Sequence, residues 1–320
     1  MYPFKFHPIL KERLWGGDKL HTVLGKDIKS DITGESWEIS AVSDDVSIVA
    51  NGPLAGTSLQ ELIIAHPIAL LGKSVVERFG NDFPILIKFI DAKQDLSIQL
   101  HPNDALAKKR HDSFGKTEMW YVMDADEGAE LIVGFNKDVP KETYVKSLEN
   151  DTLLDLLNYE PVREGDTFFI NTGKIHAIGA GVLLAEIQQT SDITYRVFDF
   201  NRRDKEGNLR ELHTDLALDA IDYIQKADFK VAYGTQENTT NPMVVCPYFT
   251  TNYLNLSQDL ELDVSQRDSF TIYMCVSGSV IIDNGEGSAQ IQKGETVLVP
   301  ASTHKINLKT SGAKLLEVTI

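Results

Sequence analysis

Asp95–Asp104 reads D-L-S-I-Q-L-H-P-N-D, and its polar and aliphatic residues alternate. Ser97, Gln99 and His101 occupy every second position, which is the pattern of a strand with one polar and one buried face. Gln99 and His101 therefore project to the same side. A buried amide and a buried imidazole each cost free energy unless they are paired, so this strand predicts half of a metal site. The alternative is an exposed edge strand that carries a histidine.

Two later segments contain residues for the other half. Gly115–Val122, G-K-T-E-M-W-Y-V, places Lys116 and Glu118 two positions apart at the start of a strand. Glu164–Gly179, E-G-D-T-F-F-I-N-T-G-K-I-H-A-I-G, predicts a strand, a turn and a returning strand that carries His176. The predicted site is therefore built from segments that lie far apart in the sequence.

The donor set is one carboxylate and three neutral ligands, from Gln99, His101, Glu118 and His176. Nitrogen and oxygen ligands of this kind suit Zn²⁺, are tolerable for Fe²⁺, Mn²⁺ or Co²⁺, and leave a position open for water or substrate. The residues predict a divalent metal centre and leave the metal undecided.

These motifs resemble a known family. Gly165–His176 has the form G-D-x₆-G-x-x-H, which is similar to the second motif of the cupin barrels, although Gln99 stands where cupins usually have histidine. Gln-x-His followed by Lys-x-Glu resembles the type I mannose-6-phosphate isomerases in their shorter bacterial form. The resemblance continues in R-L-W-G-G at Arg13–Gly17 and in E-I-Q-Q-T-S-D-I-T-Y-R-V-F-D-F at Glu186–Phe200. It covers most of residues 1–200.

The resemblance implies an enzyme that interconverts mannose 6-phosphate and fructose 6-phosphate by metal-assisted proton transfer through an enediol(ate). The implied ligands of one Zn²⁺ per chain are Gln99, His101, Glu118 and His176. The implied catalytic residues are Arg196, which orients the substrate or stabilises the enediolate, Lys116, as proton shuttle, electrostatic stabiliser or phosphate contact, and Glu186, as base or holder of a bound water. The implied phosphate contacts are Ser97 and Lys88, with Arg202 and Arg203 as weaker candidates because the small-residue stretch of the longer enzymes is missing here.

Three of these positions also allow a structural interpretation. Arg196 could pair with Asp192 or Asp199 on a barrel rim. Lys88 could lie at the edge of a sheet, because a lone lysine in an apolar strand often extends to the surface. Trp15 could form one wall of a sugar pocket or pack in the core. The residues alone leave these choices open.

Composition narrows the class of partner. The chain has 31 basic and 47 acidic side chains and a formal net charge of −16, which argues against nucleic acid and anionic membranes as partners. Cys246 and Cys275 lie in unrelated contexts, as expected for a reducing compartment. No signal peptide or membrane span is recognisable. We expect a cytoplasmic protein that binds a hexose phosphate, as a monomer or a homodimer.

The predicted fold is mainly β, with two cupin-type jelly-roll barrels and helical insertions in the N-terminal part, at about 58–80 and 140–158. The second insertion is expected to pack against the site or cover it. The expected domains are a metal-binding domain at 1–230 and a metal-free domain at 231–320. The second domain has a weak repeat of the motif around His176 that ends in His304, without equivalents of the other ligands, so we expect His304 to be solvated or hydrogen-bonded.

Local patterns add further expectations. Asn103–His111 is predicted to be a short helix with an N-cap at its start, and His213–Ile224 is also predicted to be helical. Phe270–Val276 and Ser279–Ile282 are predicted to be separate strands, with a turn at Gly278 between them.

Two other functions remain open at this point. One is another metal cupin, either a cupin-type glucose-6-phosphate isomerase or an Fe²⁺ dioxygenase, and oxygen consumption would identify the dioxygenase. Gln99 and the lysine before Glu118 disfavour both enzymes. The other is a sugar-phosphate-binding bicupin without catalysis, which would bind its ligand without turnover.

Overall fold

The computed structural model describes residues 1–204, 206–226 and 229–320. The strands that precede residue 200 are β1 Ile9–Gly17, β2 Thr33–Ile39, β3 Ala41–Val42, β4 Asp45–Val46, β5 Ile85–Ala92, β6 Ile98–Leu100, β7 Glu118–Ala125, β8 Glu130–Phe135, β9 Leu157–Pro161, β10 Thr167–Ile170, β11 His176–Ile178, β12 Val182–Gln189 and β13 Tyr195–Phe198. The later strands are β14 Thr240–Val245, β15 Thr250–Leu256, β16 Leu260–Asp263, β17 Thr271–Asp283, β18 Ser288–Gln292, β19 Thr296–Val299 and β20 Lys305–Thr319. The helices are α1 Lys19–Thr22, α2 Leu59–Ala65, α3 Pro67–Leu71, α4 Lys73–Phe79, α5 Asp104–His111, α6 Lys141–Glu149, α7 Thr214–Ala217 and a 3₁₀ turn at Leu153–Leu156.

Two antiparallel sheets form the N-terminal part of the protein. One has six strands in the order β1-β2-β5-β12-β7-β10, and the other has five in the order β13-β6-β11-β8-β9. Apolar side chains from both sheets, such as Trp120 and Val133, pack in one cluster between them. The predicted mainly β, jelly-roll architecture is confirmed, with one difference. Within the described ranges neither sheet is closed into a barrel by hydrogen bonds, because its edge strands pair on one side only.

Strand alternation determines which side chains enter the space between the sheets. Ile98 and Leu100 of β6 pack in a cluster on the outer face of the five-stranded sheet, so Gln99 points inward. Ile87 and Phe89 of β5 likewise face away from this space. The inner face of each sheet is thus left to carry the polar residues of the site.

The second helical insertion packs on the outer face of the five-stranded sheet. Tyr144 of α6 and Leu153 of the 3₁₀ turn belong to the same cluster as Ile98 and Leu100. The expectation that this insertion contacts or covers the site is therefore wrong, because apolar residues draw it to the opposite face of β6.

The first insertion begins with a capping box. The Ser58 hydroxyl accepts the Glu61 N–H at 3.2 Å, and the Glu61 carboxylate accepts the Ser58 N–H at 2.8 Å. Pro67 ends α2 and opens α3 as the first residue of the next helix. The short helix α5 also begins as predicted, with Asn103 as its N-cap.

The C-terminal sheet has seven strands, five of them in the order β14-β15-β20-β17-β18, while β16 pairs with β20 and β19 with β17. Strand β17 runs continuously through Gly278, which has φ +72° beside a register shift at Cys275–Ser277. The predicted turn at Gly278 is therefore a β-bulge within one long strand, which lets the strand bend without ending.

The predicted helix at His213–Ile224 is reduced to α7, which ends at Ala217. The N–H groups of Ala220 and Ile221 still donate to the Ala217 carbonyl at 2.9 Å, but Asp222 and Tyr223 bond to neighbouring segments. The Asp222 N–H donates to the Gly173 carbonyl at 2.9 Å, and the Tyr223 carbonyl accepts the Val139 N–H at 3.0 Å. Tertiary hydrogen bonds thus replace the helical ones.

The two parts of the chain share one hydrophobic core. Phe89 and Ile187 of the six-stranded sheet lie in the same cluster as Phe270 and Ile272 of the C-terminal sheet. Asp268 adds a polar contact, because its carboxylate accepts the first two backbone N–H groups of α4 at 2.7 and 2.8 Å. The C-terminal sheet is therefore held against the back of the sheet that carries part of the site.

Gly72 lies at this junction, where the backbones of the two parts approach closely. It has φ +97°, and a Cβ there would lie 2.5 Å from the backbone oxygen of Asp268. Gly80 has φ +63° and open space around it, so Gly80→Ala is a control with similar backbone strain. We expect Gly72→Ala to lower the free energy of unfolding by about 1–3 kcal/mol more than Gly80→Ala does, because overpacking is added to strain. Urea denaturation measures both values, and equal losses would contradict the close approach.

Candidate metal centre

Three buried side chains converge between the two N-terminal sheets. His101 follows β6, Glu118 opens β7 and His176 opens β11, and one ligand atom from each lies within 4.8 Å of the others. The Nε2 atoms of His101 and His176 lie 3.5 and 3.4 Å from the two oxygens of Glu118. The structure thus brings together three of the four predicted ligands as one cluster.

Backbone carbonyls orient the two imidazoles. Nδ1 of His101 bonds to the Ile193 carbonyl at 2.8 Å, and Nδ1 of His176 bonds to the Lys174 carbonyl at 2.8 Å. Because a carbonyl only accepts, each Nδ1 carries the proton, and each Nε2 presents a lone pair to the cluster. This is the way in which proteins orient metal-ligating histidines.

The acidic member of the cluster lacks the hydrogen bonds that a buried carboxylate needs. Both oxygens of Glu118 and Nε2 of His176 are buried without a hydrogen-bond partner. Lys116 Nζ lies 3.0 Å from Glu118 Oε2, but the angles are not those of a hydrogen bond. Buried polar atoms left in this way are costly, whereas a divalent cation would satisfy all three. The donor set therefore fits a metal ion.

The fourth predicted ligand, Gln99, lies beside the cluster. It is half-buried and stands opposite His176 in the β6–β11 ladder and opposite Arg196 in the β6–β13 ladder. Residues paired across an antiparallel ladder project to the same face, so Gln99 shares the inner face with both.

Burial determines the protonation of the histidines. Desolvation lowers the pKa of His176 to about 3 and holds the pKa of His101 well below its ordinary value. Both imidazoles are therefore neutral, which is the form that binds metals. Desolvation also raises the pKa of Glu118, with Lys116 opposing it.

Glu186 is held in place from two sides. Its carboxylate accepts Lys88 Nζ at 3.0 Å and Trp120 Nε1 at 2.8 Å. Burial disfavours its charge, but Lys88 and Lys116 outweigh burial and lower the pKa of Glu186. Lys88 is itself buried on the central strand β5 and also donates to Gln188 at 2.7 Å. The interpretation of Lys88 as a sheet-edge residue is wrong, because its neighbours are polar groups on the inner face.

Arg196 bonds to neutral oxygen atoms. Its Nε lies 3.3 Å from the Ser97 hydroxyl, and its Nη1 donates to the Glu211 carbonyl at 2.9 Å. Asp199, one of the acids suggested as its partner, binds Arg210 instead. The guanidinium is thus placed at the cavity wall beside Ser97.

Six of the predicted site residues line a single cavity of about 430 Å³, whereas the cluster of His101, Glu118 and His176 is not part of its lining. The six are Lys88, Ser97, Gln99, Lys116, Glu186 and Arg196, and Trp15 lines the cavity with them. Trp15 is also buried in the cluster between the sheets, so it both lines the cavity and packs in the core. Arg202 and Arg203 lie outside this lining and donate to the carbonyls of Asp95 and Gly207.

Part of the cavity wall was not predicted from the sequence. Arg13, Glu35 and Trp37 line it, and the Glu35 carboxylate accepts Arg13 Nη2 at 2.9 Å and Trp37 Nε1 at 2.8 Å. Glu35 and Trp37 are two positions apart on β2, the same spacing that identified Gln99 and His101. Asp192 and Arg210 were not proposed as site residues and also line the cavity.

His304 of the C-terminal part is exposed, as expected for a solvated histidine. In the described ranges of the chain, the cluster of His101, Glu118 and His176 is the one group of acidic, histidine or cysteine residues close enough to hold a metal ion.

Sheets with jelly-roll character and a buried His–Glu–His cluster beside a polar cavity define a cupin-type protein with a candidate metal centre. Comparisons with known proteins identify the family. The model of the type I phosphomannose isomerase catalytic domain matches residues 3–136, and that of the mannose-6-phosphate isomerase cupin domain matches residues 238–318.

Individual relatives match along nearly the whole chain. Mannose-6-phosphate isomerase ManA of Bacillus subtilis is 36% identical over 96% of both chains, and the mannose-6-phosphate isomerase of Streptococcus mutans is 36% identical over 91% of this chain and 90% of its own. The crystal structure of a Bacillus subtilis mannose 6-phosphate isomerase matches with a TM-score of 0.90, 32% identity and complete coverage of both chains. The chain belongs to the type I mannose-6-phosphate isomerase family, and the prediction of an isomerase with a cupin fold is confirmed.

The cluster itself can be tested by metal content. We expect His101→Ala and His176→Ala to lose bound metal after loading with Zn²⁺ and dialysis, because each removes one of the ligands. His304→Ala is the control, since this exposed histidine lies in the other part of the chain. Elemental analysis gives the metal per chain, and stoichiometric metal in either site variant would reject the cluster as a metal centre.

Proposed function

We propose that this isomerase interconverts mannose 6-phosphate and fructose 6-phosphate by proton transfer through an enediol(ate). The observation that carries the proposal is the position of the His–Glu–His cluster, which lies beside a cavity lined by Lys116, Glu186 and Arg196. The reaction moves a proton between neighbouring carbons while the carbonyl and a hydroxyl exchange places. It therefore needs a group that carries the proton and cations that stabilise negative charge on oxygen.

We assign the metal ligands to Gln99, His101, Glu118 and His176, around one Zn²⁺ per chain. The orphaned oxygens of Glu118 and the lone pair of His176 support two of them, and the position of His101 in the same cluster supports a third. The position of Gln99 opposite His176 in the ladder supports the fourth. When bound, the ion supplies a Lewis acid for the substrate oxygens.

Lys116 and Glu186 are the candidates for moving the proton. Both are buried and both line the cavity. The amine of Lys116 lies next to the cluster, 3.2 Å from His101 Nε2. Glu186 lies on β12, and its carboxylate is held by Lys88 and Trp120. We assign the proton shuttle to Lys116 and the second acid–base position to Glu186.

Arg196 is assigned to substrate orientation and to stabilising the enediolate charge. Its hydrogen bonds to Ser97 and to a backbone carbonyl keep the guanidinium free of an acidic partner at 4 Å or less among the described residues, so its charge is available to the substrate. Ser97 and Lys88 are proposed as phosphate contacts. The Lys88 amine donates to Glu186 and Gln188, which leaves its third N–H for a phosphate oxygen.

We extend the proposal to the organisation of the protein. The catalytic domain would be residues 1–230 and the metal-free cupin-like domain residues 231–320, acting in the cytoplasm as a monomer or a homodimer. Two free cysteines support a reducing compartment. No helix in the described part of the chain is long and apolar enough to cross a membrane.

The activity and its metal dependence are tested together. We expect conversion of mannose 6-phosphate to fructose 6-phosphate in an assay that couples the product to a reporting enzyme. A chelator should abolish the conversion, and added Zn²⁺ should restore it, because the ion completes the cluster. A protein that binds the sugar phosphate without turnover, with or without metal, would contradict the proposal.

Lys116→Met tests the proton shuttle. The side chain is nearly isosteric but cannot hold a proton, so we expect kcat to fall by about 10²–10⁴-fold while bound metal is retained. Glu186→Gln is the comparison that separates the two acid–base candidates. A near-normal kcat for Lys116→Met, with a large loss in Glu186→Gln, would move the shuttle to Glu186.

A further inference from the structure

Tyr248 of the C-terminal part reaches into the N-terminal part close to the site. It lies between β14 and β15, and its hydroxyl donates to the Asp104 carboxylate (Oδ2) at 2.6 Å. Asp104 is the first residue of α5, three positions after His101. This hydrogen bond therefore connects the C-terminal sheet to the segment that follows β6.

Asp104 continues the connection through its other oxygen. Oδ1 accepts the Gly115 N–H at 2.8 Å and Gln189 Nε2 at 3.1 Å. Hydrogen bonds to a charged oxygen are among the stronger ones. Gly115 has no room for a side chain, because a Cβ would lie 2.7 Å from the Asp104 backbone nitrogen. Three donors therefore converge on one carboxylate, and one of them is the backbone just before Lys116.

Gln189 holds the backbone on the other side of Lys116. Its side-chain Oε1 accepts the Thr117 N–H at 2.8 Å, and its own N–H donates to the Thr117 carbonyl at 3.0 Å. Gln189 is buried at the end of β12, the strand that also carries Glu186. Hydrogen bonds thus hold the backbone on both sides of Lys116, at Gly115 through Asp104 and at Thr117 through Gln189.

We propose that Tyr248 is a positioning residue for isomerisation, which acts through Asp104 and Gln189 to hold the segment Gly115–Glu118. This inference rests on the proposed function for the role of Lys116, and it adds that the C-terminal sheet contributes to the geometry of the site. Tyr248 touches neither the cavity nor the cluster of His101, Glu118 and His176. Its effect is carried by hydrogen bonds that branch at Asp104, one branch leading directly to Gly115 and the other through Gln189 to Thr117.

Small displacements of catalytic groups and of metal ligands have large effects on the rate and on metal affinity. A shift of about 1 Å in a catalytic group can reduce the rate by about 10²-fold, and partners that orient metal ligands change metal affinity by about 10–100-fold. Without the Tyr248 hydroxyl, the Asp104 carboxylate loses its bond at Oδ2 and is held at Oδ1 alone, so Gly115 and Gln189 are held less firmly. The backbone that carries Lys116 and Glu118 then becomes more mobile.

The chain offers a matched control for the contact between the two parts. Asp268 also spans them, by accepting two backbone N–H groups at the start of α4. The other end of α4 carries Arg78, which packs on the Tyr248 ring, but no hydrogen bond between Tyr248 and the segment Gly115–Glu118 involves this helix. Loss of Asp268 therefore weakens the same junction and leaves every donor and acceptor of the path from Tyr248 in place. Tyr248→Phe keeps the ring, which packs against Arg78, and removes only the hydroxyl.

The experiment compares Tyr248→Phe, Gln189→Ala and Asp268→Ala in the full-length chain. We expect Tyr248→Phe to lower kcat about tenfold with KM changed less than about twofold, and to weaken Zn²⁺ binding about tenfold in competition with a chelator. Gln189→Ala should follow the same pattern. Asp268→Ala should lower Tm and leave kcat and Zn²⁺ affinity unchanged.

The outcomes separate this inference from the proposed function. If Tyr248→Phe has the kcat and the Zn²⁺ affinity of the parent protein, the positioning role is wrong, whatever the substrate. If Asp268→Ala reproduces both losses, the effect belongs to the junction in general and the path through Asp104 is rejected. If the parent protein does not isomerise mannose 6-phosphate but Zn²⁺ affinity still falls in Tyr248→Phe, the proposed substrate is wrong and the positioning role stands.

Discussion

The site depends on a buried carboxylate that has no hydrogen-bond partner of its own. Glu118 is completely buried, and both of its oxygens face two neutral imidazoles and the amine of Lys116. Burying such a group costs several kcal/mol unless cations lie against it. Lys116 supplies one cation 3.0 Å from Oε2, whereas Oε1 faces the neutral Nε2 of His176 at 3.4 Å. The surrounding structure therefore has to be rigid enough to keep this arrangement, and a divalent ion is the ligand that relieves it.

That rigidity comes from strand pairing and from the clusters on either side of the site. Residues opposite each other in a ladder share a face, so the pairing of β6 with β11 and β13 brings Gln99, His176 and Arg196 together without a long loop. The six-stranded sheet does the same for Lys88 and Glu186, which are direct partners in the β5–β12 ladder. Apolar residues on the outer faces of both sheets hold these registers, because a slip by one residue would bury the polar set in the core.

The C-terminal sheet supports the six-stranded sheet from behind. Its side chains share a core with Phe89 and Ile187, one position away from Lys88 and Glu186 on the same strands. A sheet that carries charged residues on its inner face needs such support, since that face contributes little apolar burial. The C-terminal sheet thus contributes apolar support to the sheet that carries Lys88 and Glu186.

The amino-acid sequence by itself determined the donor set, the alternation that aims it inward and the capping signals at Ser58 and Asn103, because these follow from chemistry within a few residues. It also predicted Lys88, Ser97 and Arg196 through the family resemblance. Only the tertiary structure decided that Glu35 joins the cavity, that the helix α6 lies on the far side of β6, and that Gly278 bends a strand rather than ending it. Each of these depends on partners distant in the sequence, whose hydrogen bonds and apolar contacts outweigh local preference.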